Sequence, residues 1–327
     1  GRTNVRVITF STVINRTKNP IGIIGLGTMG GAMANNLIKG GYNVLGFDLD
    51  TEKNAELKLA GGQIATSPQD VFDTSEISIS SLPSPEALFQ TASQIELPNS
   101  GVARPLVIET STFSISDKQK AHRIFAEIGI ELLDCPLSGT GAQAALGDLA
   151  VFGSGDKPSF DLCLPVLKTI SHTQHFLGEF GNGSRMKIVA NLLIASHNVA
   201  AAEAFVLGAS AGLEPQLIYD VISTSAATSR MFEIRGPLMV SDEYDTATMK
   251  MDLWQKDLGI IGAYAQELGV YAPLFEASVK LYEEGIAQGR DNQDTACVCA
   301  ILEDISNLKF KKTRIKVSGD MSRSPEN

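Results

Sequence analysis

The sequence predicts an α/β protein with a doubly wound, mainly parallel sheet, followed by an all-α C-terminal domain joined to it by a long interdomain helix. Short apolar runs alternate with helical segments from Pro20 to about Gly183. The alternation then stops, and the chain from Met186 to Leu308 has the pattern of successive helices. A proline-free, alanine-rich apolar run, Met186 to Leu213, predicts the joining helix.

Length and charge bound the organisation of the chain. Its 327 residues are enough for two domains, predicted at 20–183 and 184–306, with a basic tail at 1–19 and a basic and polar tail at 307–327. The net charge is −10, and because both tails are basic, the body between them is more acidic still. We therefore expect no nucleic-acid partner. No apolar run predicts a membrane partner.

The cysteines and the N-terminal segment bear on the cellular compartment. The four cysteines have no CxxC pair and no metal-ligand spacing, so we expect reduced, buried thiols and no metal site. Reduced thiols favour the cytoplasm. Because residues 1–19 are basic and free of acids, a transit peptide and the mitochondrial matrix remain the alternative.

A glycine motif lies at the first predicted strand-to-helix turn. Ile21 to Ile24 predicts a strand, and a helix follows to Lys39. The glycines between them permit a tight turn, contact with a pyrophosphate at the helix N-terminus, and close helix packing. The residues expected to contact this dinucleotide are Gly25, Leu26, Gly27, Thr28, Met29 and Gly30.

Asp48 ends the second predicted strand, 18 residues after Gly30. A carboxylate there accepts hydrogen bonds from the adenosine ribose and repels a 2′-phosphate, so we expect NAD, with NADP less favoured. The turns at Leu82-Pro83 and at Thr112 follow later strands. Both lie at carboxyl ends, where a sheet of this class binds its ligand, although each could be a simple helix cap.

Two later segments carry polar groups suited to a substrate. The stretch Asp134 to Gly147 follows a sixth predicted strand, and its backbone N–H groups and Ser138 could hold a small carboxylate, unless it is only a loop. Lys187 and Asn191 are four residues apart and so share a helical face. A helix N-terminus and burial both disfavour the ammonium form of Lys187, which suits a general acid and base; a surface lysine is the alternative.

Together, four motifs resemble those of the β-hydroxyacid dehydrogenase family, which includes 3-hydroxyisobutyrate dehydrogenase and 2-hydroxy-3-oxopropionate reductase. The resemblance covers residues 20 to 306 and implies a Rossmann-type NAD-binding domain. The motifs are Gly25 to Gly30 (GxGxMG), Asp134 to Gly147 (the substrate loop), Gly181 to Asn191 (GxGxxxKxxxN) and Lys256-Asp257-Leu258.

The resemblance implies hydride transfer between a nicotinamide cofactor and a small 3-hydroxy acid or semialdehyde, with Lys187 as catalytic acid and base. It implies cofactor contacts at Leu82, Pro83, Thr112 and Lys256. The substrate positions that it implies are Ser138, Gly139, Thr140, Asn191, Phe232 and Lys256. Thr140 replaces the family's usual second glycine, which leaves the identity of the substrate open.

Two other functions stay open from the sequence. One is a non-catalytic NAD(H)-binding protein on the same fold, and the other is a reductase of a different small carbonyl compound. The histidines have no companion Arg and Asp at a spacing typical of histidine-based dehydrogenases. The apolar helices Leu192 to Leu207 and Leu253 to Leu268 exceed what one small domain needs, so we expect a homodimer or homotetramer.

Overall fold

A computed structural model describes residues 19–96 and 105–308. Most of each basic tail, and with it any transit peptide, lies outside these residues. The chain divides into two compact units, and the division falls between Lys187 and Ile188, inside one long helix.

The first unit contains every strand in the described residues. The strands are β1 (Ile21–Ile24), β2 (Val44–Phe47), β3 (Gln63–Ile64), β4 (Ile77–Ser80), β5 (Leu106–Glu109), β6 (Glu131–Asp134), β7 (Leu137–Ser138), β8 (Ala150–Gly153) and β9 (Thr173–Phe176). The first six form a parallel sheet in the order β3-β2-β1-β4-β5-β6, and the last three form a small second sheet. This order confirms the predicted doubly wound fold.

Helices cover both faces of the large sheet and make up the second unit. They are α1 (Thr28–Lys39), α2 (Thr51–Leu59), α3 (Pro68–Thr74), α4 (Pro85–Ser93), α5 (Ile115–Glu127), α6 (Gly141–Ala145), α7 (Lys157–Ile170), α8 (Asn182–Ser210), α9 (Pro215–Ser223), α10 (Arg230–Ser241), α11 (Met251–Glu267), α12 (Pro273–Ala287) and α13 (Val298–Ile305), with a 3-10 turn at Thr295–Cys297. The long predicted helix is α8.

Alternation along the strands builds two apolar cores. Ile23 packs into the core on the side of α1 and α7, while its neighbour Ile24 packs into the core on the side of α3, α4 and α5. Ile108 and Val107 divide in the same way on β5. Because successive side chains of a strand point to opposite faces, a strand covered on both faces is apolar throughout.

The stretch Asp134 to Gly147, for which a plain loop was the alternative to a carboxylate-binding segment, contains the short strand β7 and the helix α6. Thr140 caps α6 by accepting a hydrogen bond from the Gln143 N–H at 3.4 Å, and the Gln143 side chain accepts one from the Thr140 N–H at 3.0 Å. This reciprocal capping box stabilises a helix that is otherwise too short to persist. Several backbone N–H groups expected to face a ligand are therefore used inside the segment.

A glycine followed by a proline, as at Gly236-Pro237, predicts a helix break, and this prediction is wrong here, since α10 continues through both residues. Proline has no N–H to donate to the carbonyl four residues earlier, which belongs to Glu233. In the structure the Tyr219 hydroxyl donates to that carbonyl at 3.1 Å. A side chain from α9 thus supplies the missing donor and allows the helix to continue.

Among the described residues, α8 is long and apolar enough to cross a membrane by length and composition alone. Its polar residues are instead bonded within the protein. Ser184 donates to Asp134 in the first unit, and Asn198 donates to Tyr282 and to the Thr295 carbonyl in the second. Core helices pass the same test of length and composition, so this helix is weak evidence for a membrane.

The tight packing of α1 on the turn before it leads to a prediction. A Cβ at Gly30 would lie only 1.9 Å from the Gly25 carbonyl oxygen. Backbone cannot yield as a side chain can, so Gly30→Ala should lower the free energy of unfolding in urea by at least about 2 kcal/mol. The control is Gly259→Ala, because Gly259 lies on the exposed face of α11 with no atom within 4 Å of its added Cβ. Alanine there should add about 1 kcal/mol through helix propensity; an equally stable Gly30→Ala protein would contradict the packing argument.

Candidate active site

The glycine turn after β1 presents bare backbone at the start of α1. Gly27 is the N-cap residue, and no side chain caps the helix. A Cβ at Gly27 would meet no atom within 4 Å, so the space beside it is open. The first N–H groups of α1 therefore face a place where a phosphate can accept their hydrogen bonds.

Asp48, which follows β2, is held against this turn. One of its carboxylate oxygens accepts a hydrogen bond from the Leu26 N–H at 2.6 Å, and the other accepts one from the Asp50 N–H at 2.8 Å. The Asn54 side chain bonds to both the N–H and the carbonyl of Asp48. The carboxylate is thus fixed beside the glycine turn, in the position expected of a group that contacts an adenosine ribose.

A cleft of about 430 Å³ opens at the carboxyl ends of β1, β2 and β4. Its size is that of a small-ligand pocket. The lining includes Gly25, Gly27, Thr28, Met29, Asp48, Leu82 and Pro83, all of them predicted cofactor contacts. A phosphate-binding turn, a fixed carboxylate and an apolar wall fit a dinucleotide, so these residues would hold the nicotinamide cofactor.

Of the cofactor residues predicted in the first unit, three do not line this cleft. The Leu26 side chain is buried in the core, and Gly30 packs on the Gly25 carbonyl, so both shape the turn rather than the cleft wall. Thr112 is half-buried in the turn after β5. Its neighbour Ser111 accepts a hydrogen bond from the Leu82 N–H at 3.0 Å, which joins the two predicted cofactor turns.

A buried ion cluster lies beneath these turns. Lys118 of α5 pairs with Glu109, the last residue of β5, and with Asp134, the last residue of β6, at 3.2 Å. All three side chains have no exposed surface. Two carboxyl groups thus share one ammonium group at the carboxyl ends of these strands.

Asp134 also bonds to the first turn of α8. Its carboxylate accepts hydrogen bonds from the Ser184 N–H at 2.8 Å and from the Ser184 hydroxyl at 2.7 Å. A carboxylate at a helix N-terminus satisfies donors that have no partner inside the helix. The ion cluster therefore fixes the start of the helix that carries Lys187.

Lys187 is 8% exposed, so the alternative of a surface lysine does not hold. The helix begins at Asn182, four residues before its predicted start, and Lys187 is therefore in its second turn rather than its first. The effect of the macrodipole falls off within the first turn. Burial, more than the helix end, is thus what sets the environment of this amine.

The substrate loop presents Ser138 and Gly139 at the end of β7, and both are partly exposed. Gly139 has φ of +141°, a backbone conformation that favours glycine. The Thr140 hydroxyl, which we expected to face the substrate, caps α6 instead. The threonine that replaces the family's usual glycine therefore has a structural role, because it caps α6.

The remaining predicted substrate residues belong to the second unit. Asn191 is 2% exposed and donates to Asp257 at 3.0 Å, while its side-chain oxygen has no partner among the described residues. Lys256, next to Asp257, is exposed. Phe232 is buried and stacks between Phe205 and Tyr219, with ring centroids 5.2 and 5.9 Å away, which makes it part of the core of this unit.

Other common catalytic groups are not assembled in the described parts of the chain. No histidine there is paired with a carboxylate: His172 bonds to the Thr173 hydroxyl at 3.0 Å, and the His122 and Phe180 rings stack with their centroids 4.2 Å apart. Burial raises the pKa of the Cys135 thiol, which keeps it protonated and unreactive. No group of three potential metal ligands was found in residues 19–96 and 105–308.

Sequence reasoning missed Glu109, Lys118, Ser184 and Asp257. A signal for Lys118 was present, because it lies in line with Ile115, Ala121 and Phe125 on the buried stripe of α5. A lysine on an apolar stripe needs a buried acid to pair with it. Asp257 lies in the same way among the buried residues of α11.

Comparison with known proteins supports this architecture over nearly the whole chain. Residues 20–178 match the family model of the NAD-binding domain of 6-phosphogluconate dehydrogenase. Residues 181–302 match the model described as the NAD-binding domain of NADP-dependent 3-hydroxyisobutyrate dehydrogenase.

Individual relatives extend over the same range. The L-threonate dehydrogenase of Cupriavidus necator is 33% identical over 290 residues, which cover 87% of this chain and 96% of that protein. Glyoxylate/succinic semialdehyde reductase 2 of Arabidopsis thaliana is 29% identical, covering 90% of this chain and 80% of that protein. The structure of Mycobacterium tuberculosis 3-hydroxyisobutyrate dehydrogenase with L-serine matches with a TM-score of 0.77 and 28% identity, covering 87% of this chain and 99% of that one. Given this cofactor cleft and relatives matched along their length, the chain belongs to the β-hydroxyacid dehydrogenase family of NAD(P)-dependent oxidoreductases.

Proposed function

We propose that this protein interconverts a small 3-hydroxy acid and its semialdehyde, of the 3-hydroxyisobutyrate or 2-hydroxy-3-oxopropionate type, with Lys187 as the general acid and base. The observation that carries the proposal is the placement of Lys187. It is a buried lysine on a helix whose first turn is fixed by the buried carboxylate of Asp134. A surface lysine or a plain helix residue would need no such support.

The chemistry divides between the cofactor and the protein. A bound nicotinamide cofactor supplies or accepts the hydride. In the reductive direction Lys187 gives a proton to the carbonyl oxygen of the substrate, and in the oxidative direction it takes the proton from the hydroxyl group. One positioned amine can serve both directions, because the group that donates the proton in reduction takes it back in oxidation.

The substrate is a small carboxylate in this proposal. Ser138 and the backbone at Gly139, at the end of β7 in the first unit, offer donors for the carboxylate. Relatives named for L-threonate and for glyoxylate or succinic semialdehyde support this class of substrate. The capping role of Thr140 leaves its hydroxyl engaged, so it adds less to the recognition of the substrate than its position suggested.

Two alternatives make different predictions. A non-catalytic NAD(H)-binding protein would bind cofactor and turn over no substrate. A reductase of a different small carbonyl compound would retain the lysine but prefer substrates without a carboxylate. The buried position of Lys187 favours an enzyme over a binder. Burying a lysine lowers the stability of the fold, and a protein that only binds the cofactor has no use for a buried amine.

A substrate panel tests the proposed reaction. NADH and NADPH oxidation is measured with succinic semialdehyde, glyoxylate, tartronate semialdehyde and methylmalonate semialdehyde, and the reverse reaction is measured with 3-hydroxyisobutyrate and L-threonate. We expect turnover of at least one carboxylate substrate. Lys187→Ala should lower kcat for it by about 10²–10⁴-fold and leave the NADH Kd unchanged, since only proton transfer is lost. Appreciable residual activity in this variant would remove Lys187 from the mechanism.

We infer a preference for NAD over NADP from Asp48. The second family model is described for an NADP-dependent enzyme, so the inference rests on this carboxylate beside the glycine turn. Asp48→Asn should weaken NADH binding by roughly 10-fold or more, because a charged acceptor is lost. It should also narrow the preference over NADPH, because repulsion of the 2′-phosphate is lost. Fluorescence titration with both cofactors measures this, with Asp73→Asn, at a partly buried acid of α3 outside the cleft lining, as control; tighter NADPH binding by the unaltered protein would refute the preference.

We also propose a homodimer or homotetramer that buries apolar surface of the second unit. Its helices expose Leu207, Leu253 and Leu274 to 74%, 62% and 65%. Light scattering at micromolar concentration should give at least twice the mass of the chain. Leu207→Arg should shift the protein toward the monomer, whereas Leu59→Arg, at a leucine of the first unit that is 89% exposed, should not. A monomeric unaltered protein would end this proposal.

A further inference from the structure

The buried ion cluster is one part of a longer hydrogen-bond chain within the first unit. At one end, the Leu82 N–H donates to the Ser111 hydroxyl at 3.0 Å, and the Ser111 N–H donates to Glu109, also at 3.0 Å. Glu109 pairs with Lys118, and Lys118 pairs with Asp134. The chain thus begins at the turn that lines the cofactor cleft.

At its other end the same chain reaches the lysine helix. Asp134 accepts both the N–H and the hydroxyl of Ser184, three residues before Lys187. Ser154 adds a second bridge, since its hydroxyl donates to Asp134 at 3.3 Å and accepts the Gly183 N–H at 2.9 Å. The first turn of α8 is therefore bonded through two consecutive residues.

Stability alone does not account for this arrangement. Well-packed apolar residues can replace buried ion clusters without loss of stability, because the desolvation of the charges offsets their attraction. Charged groups do, however, impose stricter geometry than apolar contacts, because hydrogen bonds to ions are short and directional. Here both ends of the cluster bond to backbone at the places where a dehydrogenase needs its cofactor and its proton donor.

We propose that Glu109, Lys118 and Asp134 are positioning residues, which set the cofactor turn and the first turn of the lysine helix in register for hydride and proton transfer. They touch neither substrate nor cofactor and act through Ser111 and Ser184. The inference rests on the proposed catalytic role of Lys187. It adds that a single buried ammonium group, that of Lys118, links the cofactor turn, where hydride is transferred, to the lysine helix, where the proton is transferred.

The two serines allow each end to be tested without removing a charge. Ser184→Ala should lower kcat by about 10-fold with the NADH Kd unchanged, because one bond to a charged group is lost at the lysine end. Ser184→Thr, which keeps the hydroxyl, should restore most of the activity. Ser111→Ala should instead raise the NADH Kd by about 10-fold, because the cofactor turn loses its link to the cluster. If the serines had a purely structural role, each substitution would change both kcat and the NADH Kd, rather than one of them.

A second readout does not depend on the substrate. The rate of acetylation of Lys187 is followed by mass spectrometry, relative to the other lysines of the same protein. Ser184→Ala should raise this rate several-fold, because the first turn of the helix opens more often, and Ser111→Ala should leave it unchanged. The matched control is Ser171→Ala, since Ser171 is another buried serine of the first unit, bonded only to Leu167 and Gln174. This control should change neither kcat, Kd nor labelling.

Lys118→Met tests the centre of the cluster and should change kcat, Kd and labelling together. If that protein does not fold, the serine variants decide. Unchanged kcat and labelling in Ser184→Ala, or the same losses in Ser171→Ala, would overturn the proposal. If the unaltered protein turns over no substrate but the labelling and Kd results hold, the positioning role stands and the proposed reaction fails.

Discussion

Lys118 is an ammonium group without exposed surface, held between the carboxylates of Glu109 and Asp134 at the carboxyl ends of two neighbouring strands. Removing the Lys118 ammonium would leave two buried carboxylates without their counter-charge, at a cost of about 3–5 kcal/mol. Each carboxylate also bonds to backbone outside the cluster, Glu109 to the turn after β5 and Asp134 to the start of α8. The geometry of the turns at the candidate active site therefore depends on the pairing of charge among these three buried side chains.

The parallel sheet determines where this balance is needed. Carboxyl ends of parallel strands meet along one edge, and the cofactor cleft, the ion cluster and the first turn of α8 all lie at that edge. The cleft needs bare backbone and one fixed acid, which the glycine turn and Asp48 provide. The helix needs an acceptor for its first N–H groups, which Asp134 provides. One edge thus serves cofactor binding and the placement of a lysine through different side chains.

Local pattern predicted most of the elements and failed where a distant side chain intervened. The strand Ile21–Ile24 has its predicted bounds, because its apolar residues are bounded by proline and glycine. The continuation of α10 through Pro237 was missed, because its explanation is the hydroxyl of Tyr219 on another helix. The start of α8 was placed four residues late, because Ser184 finds its cap in Asp134, 50 residues earlier in the chain. Thr140 was read as a substrate residue although its nearer partner, Gln143, completes a capping box.

The sequence by itself determined the fold class, the family and the residues that carry its motifs, because glycine spacing, strand alternation and the lysine-containing helix motif are local properties of the chain. Only the tertiary structure decided how those residues are supported. It buried Lys187 and Phe232, turned the Thr140 hydroxyl to a helix cap, and brought Glu109, Lys118 and Asp134 together. Such pairings arise between residues that the sheet brings side by side, and the spacing of residues along the chain carries no record of them.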